Sequence, residues 1–303
     1  MRRLSAIGAV ALTAALFCVT AATPAPARRR RTPKLPKGVR MLADLTYGRG
    51  GGRDLKLDLF LPKEDERRHP AIVFIHGGGW SGGAKGQFWN QAAYLAGEGY
   101  AAACVEYRLS GEARFPAAVE DCKCAIRWLR AHAKPYQVDP ERIAVGGGSA
   151  GAHLAAMVGV TDRTAGLEGA GGYGDVSSRV RAVVAFNGVF DMFAMMRGGN
   201  IPKPITLFLG GGPDEARKNY ELASPIRHVD KGDPPFLLLH GTGDSTVPFE
   251  QSKAMQKKLK SVGVTAELFA AEGANHGFFN RPPWYEPTLQ RMKRFLDEQL
   301  RAK

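Results

Sequence analysis

Six short apolar runs recur along the chain: "PAIVFIHGGGW", "GYAAACVEYRLS", "RIAVGGGS", "VRAVVAFNGVF", "PPFLLLHGTGD" and "TAELFAAEGANHGF". Each stops at Gly, Asn or a polar residue. A strand covered on both faces reads as such an unbroken run, because neither face needs polar side chains. Helix-spaced segments lie between them: "FWNQAAYLAGEG", "PAAVEDCKCAIRWLRAHA", "SAGAHLAAMVGV" and "FEQSKAMQKKLKSVG". This alternation predicts an α/β architecture, a mostly parallel twisted sheet with helices on both faces. Upstream, "LADLTYG" and "RDLKLDLFLP" alternate apolar and polar residues around "GRGGG", which predicts an opening antiparallel hairpin. The Gly-rich segment 163–178 and segment 190–235 read as loop or cap insertions. We find no boundary that divides residues 41–303.

The N-terminus reads differently. "MRRLSAIGAVALTAALFCVTAATPAPA" places two arginines before an apolar run that ends in small residues and Pro. That is the layout of a secretory signal peptide over residues 1–27, with Ala-x-Ala-like sites around Ala21, Ala22 and Ala27. A retained membrane anchor is the alternative. A lipoprotein signal is disfavoured by Leu16 and Phe17 before Cys18. Residues 28–40 then form a basic linker, and residues 41–303 a single catalytic domain. Export to the periplasm or the extracellular space follows from the signal, with no stable membrane insertion after cleavage.

The net charge of +13 is concentrated in this leader: residues 1–40 hold nine Lys/Arg and no Asp/Glu, leaving 33 basic against 29 acidic residues elsewhere. A near-balanced domain gives no basic face for nucleic acid, so no nucleic-acid partner is expected. Beyond the leader the cysteines are Cys104, Cys122 and Cys124, an odd number that reads as buried thiols. One bridge from Cys104 to Cys122 or Cys124 stays open at this stage.

Functional groups in sheets of this kind collect at the carboxyl ends of strands. There stand His76-Gly77-Gly78-Gly79, Ser149, Asp191, Asp244 and His276. Gly147-Gly148-Ser149-Ala150-Gly151 matches G-x-S-x-G, the strand-to-helix turn that lifts a nucleophilic hydroxyl. Gly79-Trp80-Ser81-Gly82-Gly83 matches it too, but Ser81 follows a loop and precedes a poor helix start. Ser149 follows strand-like "RIAV" and opens helix-like "AGAHLAAMV". It is therefore the candidate nucleophile, against a tight packing corner.

A serine hydroxyl needs a base. Of seven histidines, His276 in "GANHGFF" follows the last strand-like run and is preferred. His76 and His240 precede glycine and read as loop pins, and His153 as a packed helix residue. Asp244 in "HGTGDSTVP" is the preferred acid, with Asp191 its competitor, because the order Ser, Asp, His fits the fold's arrangement. The glycine N–H groups of "HGGGW" and the N–H of Ala150 are candidate oxyanion donors. Trp80, beside that loop, is a candidate substrate contact. No metal cluster or cofactor fingerprint occurs, so no cofactor is expected.

Together "HGGGW", "GGSAGAHLA", "HGTGDSTVP" and "NHGF" resemble the α/β-hydrolase esterases of the hormone-sensitive-lipase-like and bacterial feruloyl and acetyl-xylan esterase group. The resemblance covers nearly everything after residue 41. It implies an α/β-hydrolase fold and a secreted serine carboxylesterase, with Ser149 as nucleophile, His276 as base, Asp244 as acid, and Gly78, Gly79 and Ala150 as oxyanion donors. The implied substrates are short-chain or aryl acyl esters, on small molecules or on plant polysaccharide. Hormone-sensitive-lipase-like enzymes carry a helical N-terminal cap, whereas here only a short basic segment precedes the first strand. A minimal cap and an open site are therefore expected. An aryl-formamidase or peptidase-type amide hydrolase with the same triad, and a non-catalytic binding protein on a hydrolase scaffold, are the alternatives.

Overall fold

A computed structural model describes residues 33–196 and 199–301. The expected signal peptide and most of the basic linker lie outside these residues. One eight-stranded sheet organises the rest. Its strands are β1 (Arg40–Gly50), β2 (Arg53–Leu61), β3 (His69–Ile75), β4 (Ala101–Val105), β5 (Val138–Gly148), β6 (Val183–Phe186), β7 (Phe236–Gly241) and β8 (Ala266–Ala271). Their order across the sheet is β1-β2-β4-β3-β5-β6-β7-β8. β2 pairs antiparallel with β1 and β4, while every neighbouring pair from β4 to β8 is parallel. The opening hairpin and the parallel body are thus where the apolar patterning puts them.

Helices cover both faces. α1 (Trp89–Gly97) and α7 (Tyr285–Leu300) pack on one, and α2 (Ala117–Ala131), α3 (Ala150–Val160) and α6 (Glu250–Ser261) on the other. Strand periodicity divides the core between them. Ala71, Val73 and Ile75 of β3 join the α2/α3 side, whereas Ile72 and Phe74 join the α1/α7 side. The same split recurs in β7, with Phe236 and Leu238 opposite Leu237 and Leu239. Each Val, Ile, Leu or Phe among them contributes about 1.5–3 kcal/mol when taken fully out of water, so a polar residue on either face would be costly. This two-sided burial is why the runs are continuous.

The insertion between β6 and β7 carries two short helices, α4 (Lys203–Leu209) and α5 (Arg217–Leu222). Phe208 of α4 stacks on Trp80, with ring centroids 4.7 Å apart. The cap is small, and it rests directly on the glycine loop after β3. Cys104, Cys122 and Cys124 are buried free thiols, which removes the bridge left open by the sequence. Among the described residues no helix is long and apolar enough to cross a membrane.

Candidate active site

The carboxyl ends of β3, β5, β6, β7 and β8 meet at one cavity of about 390 Å³. Ser149 sits where β5 gives way to α3, at φ 56° and ψ −121°. A non-glycine residue held there stores on the order of 1–3 kcal/mol of strain, so its surroundings must enforce it. They do so by close backbone approach. A Cβ on Gly147 would lie 2.7 Å from the Ile75 carbonyl oxygen, and one on Gly151 would lie 2.6 Å from that of His76. Only glycine lets α3 start this close to the end of β3. The Ser149 N–H donates to the Phe186 carbonyl at 2.8 Å, and the His153 N–H to the Ser149 carbonyl at 3.0 Å.

His276 follows β8 in a turn that Gly277 closes at φ 76°. Its Nε2 lies 3.0 Å from Ser149 Oγ, and its Nδ1 lies 2.7 Å from Asp244 Oδ2. This pair of partners sets the tautomer: Nδ1–H donates to the carboxylate, leaving Nε2 to accept from the serine hydroxyl. Asp244 lies in the turn after β7. Its Oδ1 accepts from the Thr246 and Val247 N–H groups at 2.8 and 2.9 Å. Burial alone would raise the Asp244 pKa, but hydrogen bonds from His240, His276 and the Val247 amide hold it well below the usual carboxylate range. The group beside the imidazole is therefore a fixed negative charge.

The competing acid is placed elsewhere. Asp191 Oδ1 accepts the Phe193 N–H at 2.9 Å, at the entry to a short 3₁₀ turn over Phe193–Met195. Ser81, the second match to the pattern, is exposed in a turn closed by its own N–H donating to the Gly78 carbonyl at 3.2 Å. His276 is hydrogen-bonded to Ser149 instead.

The glycine loop is braced on all sides. The ring of His76 stacks on Tyr107 at 4.4 Å and its Nδ1 bonds the Gly77 carbonyl at 2.8 Å. The Gly77 N–H is used by Gln87 Oε1 at 2.6 Å. Gly78 and Gly79 lie at φ 120° and 60°, and their N–H groups have no partner among the described residues. The turn bearing Gln87 is held by the buried Lys85, which pairs with Asp58 at 2.6 Å and with Asp44. Burying such a pair is weakly stabilising at best, but it fixes position. Trp80 borders the cavity yet is only 3% exposed, and its indole N–H donates to His153 Nδ1 at 3.1 Å. It is more a wall than a free contact.

Several lining residues carry no sequence signal of their own. Met195, Pro202, Pro204 and Ile205 come from the insertion, and Phe279 from the turn after His276. Asn187, at the end of β6, is wholly buried and places Nδ2 3.0 Å from His276 Nδ1 and 3.2 Å from Nε2. His240 stands behind Asp244, its Nε2 3.0 Å from the Val247 carbonyl and 3.3 Å from Asp244 Oδ2. The position of Asn187 at a strand's carboxyl end, before Gly188, is the one clue the sequence offered.

Apart from His276, no ionisable side chain lines the cavity among the described residues. Chemically, the arrangement can take the proton from Ser149 as its oxygen attacks a carbonyl, while two unpaired N–H groups await the oxygen that becomes negative.

A family model described as BD-FAE matches residues 57–259. The chain is 32% identical over 255 residues to the probable carboxylic ester hydrolase LipM of Mycobacterium tuberculosis, a match covering 79% of this chain and 58% of LipM. It thus spans little more than half the length of such curated relatives. Among solved structures, a truncated carbohydrate esterase from gut microbiota is 31% identical with a TM-score of 0.78, covering 87% of this chain and 97% of that one. Butyrate-bound Est2, an esterase of Thermogutta terrifontis, is 34% identical with a TM-score of 0.75, covering 89% and 97%.

Proposed function

The chain belongs to the BD-FAE family, with an α/β-hydrolase fold, and from that premise we propose that it is a serine carboxylesterase acting through an acyl-enzyme on Ser149. The observation that carries this reading is the Ser149–His276–Asp244 hydrogen-bond chain opening on a cavity with unpaired glycine N–H groups. In acylation, Ser149 Oγ attacks the ester carbonyl carbon and its proton passes to His276 Nε2. The resulting oxyanion is met by the N–H groups of Gly78, Gly79 and Ala150. Collapse expels the alcohol, which leaves with the proton from His276. Water then attacks the acyl carbon, gives its proton to His276, and the acid departs as Ser149 recovers its own. Asp244 stays ionised and offsets the transient charge on the ring.

The cavity supports short-chain or aryl acyl groups on uncharged substrates. Its walls include Val189, Met195, Pro204, Ile205 and Phe279, and its volume of about 390 Å³ admits a group of that size. Acetyl or feruloyl esters on plant polysaccharide fit this reading, and the likeness to a carbohydrate esterase supports it. Export directed by residues 1–27 belongs to the same proposal and rests on the sequence pattern.

The test is turnover of p-nitrophenyl acetate, methyl ferulate and acetylated xylan by the wild-type protein and by Ser149→Ala. We expect Ser149→Ala to fold normally and to lose activity by roughly 10⁴-fold or more. A retained rate rejects the proposal.

A further inference from the structure

We propose that Asn187 is a positioning residue for His276: its amide bears on the imidazole face, fixes the ring between Asp244 and Ser149, and turns its oxygen toward the ring when the ring is positively charged. This rests on the reading of His276 as the general base. The amide nitrogen is nearly equidistant from both ring nitrogens, at 3.0 and 3.2 Å. An atom so placed cannot lie in the ring plane beyond Cε1 without overlapping that carbon. Asn187 therefore lies against the face of the imidazole, while Asp244 and Ser149 hold its two edges.

Both ring nitrogens are already committed, Nδ1–H to Asp244 and Nε2 to the serine hydroxyl. The ring thus has no lone pair free for an amide N–H. What it acquires during acylation is positive charge, and the complement to that is the amide oxygen. Asn187 Oδ1 is buried and has no hydrogen-bond partner among the described residues, so it is uncommitted there. A half-turn of the amide exchanges its two ends without moving the residue. A buried polar atom left without a partner is costly, and such a cost beside a reacting group calls for a role there.

The backbone fixes the amide in place. Asn187 sits at φ 43°, a left-handed conformation that Asn and Asp tolerate better than other side chains. Its N–H donates to the Leu239 carbonyl at 2.8 Å, which ties it to β7. The groups facing His276 are then Asp244 from the turn after β7, Ser149 from the start of α3, and Asn187 from the end of β6, with His240 behind Asp244. Asp244 is the charged one of these groups in contact with the ring, and Asn187 is the polar group that bears on its face.

The experiment uses two variants and the pH profile of kcat/KM on p-nitrophenyl acetate. Asn187→Gly removes the amide while relieving the left-handed backbone. We expect kcat to fall about tenfold to a hundredfold, the scale of a misplaced catalytic group, with KM little changed. Asn187→Asp keeps the shape and places a negative oxygen on the ring face. The acid limb of its profile should move to higher pH by about one unit or more, since a nearby negative charge favours the imidazolium. Wild-type kcat in folded Asn187→Gly overturns the inference. If that variant does not fold, an unmoved acid limb in Asn187→Asp at wild-type rate overturns it. Activity in the wild type that is lost in Ser149→Ala keeps the esterase reading intact in either case. An inactive wild type, or an active Ser149→Ala, rejects that reading first.

Discussion

Replacing Gly151 by Ala sets two physical effects against each other. Inside an exposed helix, Ala is favoured over Gly by about 1 kcal/mol, so propensity alone makes Gly151→Ala a stabilising change. The structure predicts the reverse. The new Cβ would stand 2.6 Å from the His76 carbonyl oxygen, and it would also press on that of Ile75. Both are backbone atoms at the end of a central strand and cannot swing aside. Reaching ordinary contact requires α3 to withdraw by on the order of 1 Å. Overpacking of this kind costs about 1–3 kcal/mol, occasionally more, which meets or exceeds the propensity gain. The expected net loss is up to about 2 kcal/mol, read as a fall in Tm of up to roughly 8 °C. The same withdrawal carries Ser149 and the Ala150 N–H away from the glycine loop, and a misplacement of that size can cost about a hundredfold in rate. Thermal unfolding followed by circular dichroism, with kcat measured well below Tm, checks both effects. An unchanged or higher Tm with kcat within about twofold of wild type would refute the close-approach argument.

The other predictions concern the supports of the site. Phe208→Ala removes a buried ring stacked on Trp80; we expect about 3–5 kcal/mol of destabilisation and a raised KM as α4 loosens from the glycine loop, both readable from urea melts and steady-state kinetics. His153 is fully buried between the Trp80 indole N–H and the Ala223 carbonyl, and burial pushes its pKa down to about 4 despite the latter bond. With the folded pKa below the unfolded one, the unfolded chain binds the extra proton, so stability is lost as pH falls from about 6.5 toward about 4. His153→Gln removes that titration, and the difference in unfolding free energy between pH 7 and pH 4.5 should shrink by roughly 2 kcal/mol; an unaltered difference would contradict the assignment.

Much of this architecture was legible because burial writes itself into composition. The β3 and β7 runs are apolar at every position since both faces are covered, and the run endings mark the strand tips where Ser149, Asp244 and His276 gather. The glycines of the Ser149 turn were legible as a pattern. That Gly147 and Gly151 are required by the carbonyls of Ile75 and His76 depends on β3 and β5 being neighbours, which spacing alone does not state. The cavity wall was less legible. Met195, Pro204 and Ile205 lie in an irregular insertion with no periodicity to reveal a facing direction. Trp80 was singled out for adjoining the glycine loop, but its indole is spent on Phe208 and His153. Asn187 was hidden because it acts on a partner far along the chain: its contact with His276 spans 89 residues.

The central claim is that Ser149, and not the similarly patterned Ser81, is the nucleophile. Reaction with a fluorophosphonate, followed by intact-mass and peptide mass spectrometry, tests it directly. The expected result is one adduct per chain, on the peptide that contains Ser149, with esterase activity falling in proportion to labelling. An adduct on Ser81, or full activity in a protein that takes up no label, would contradict it.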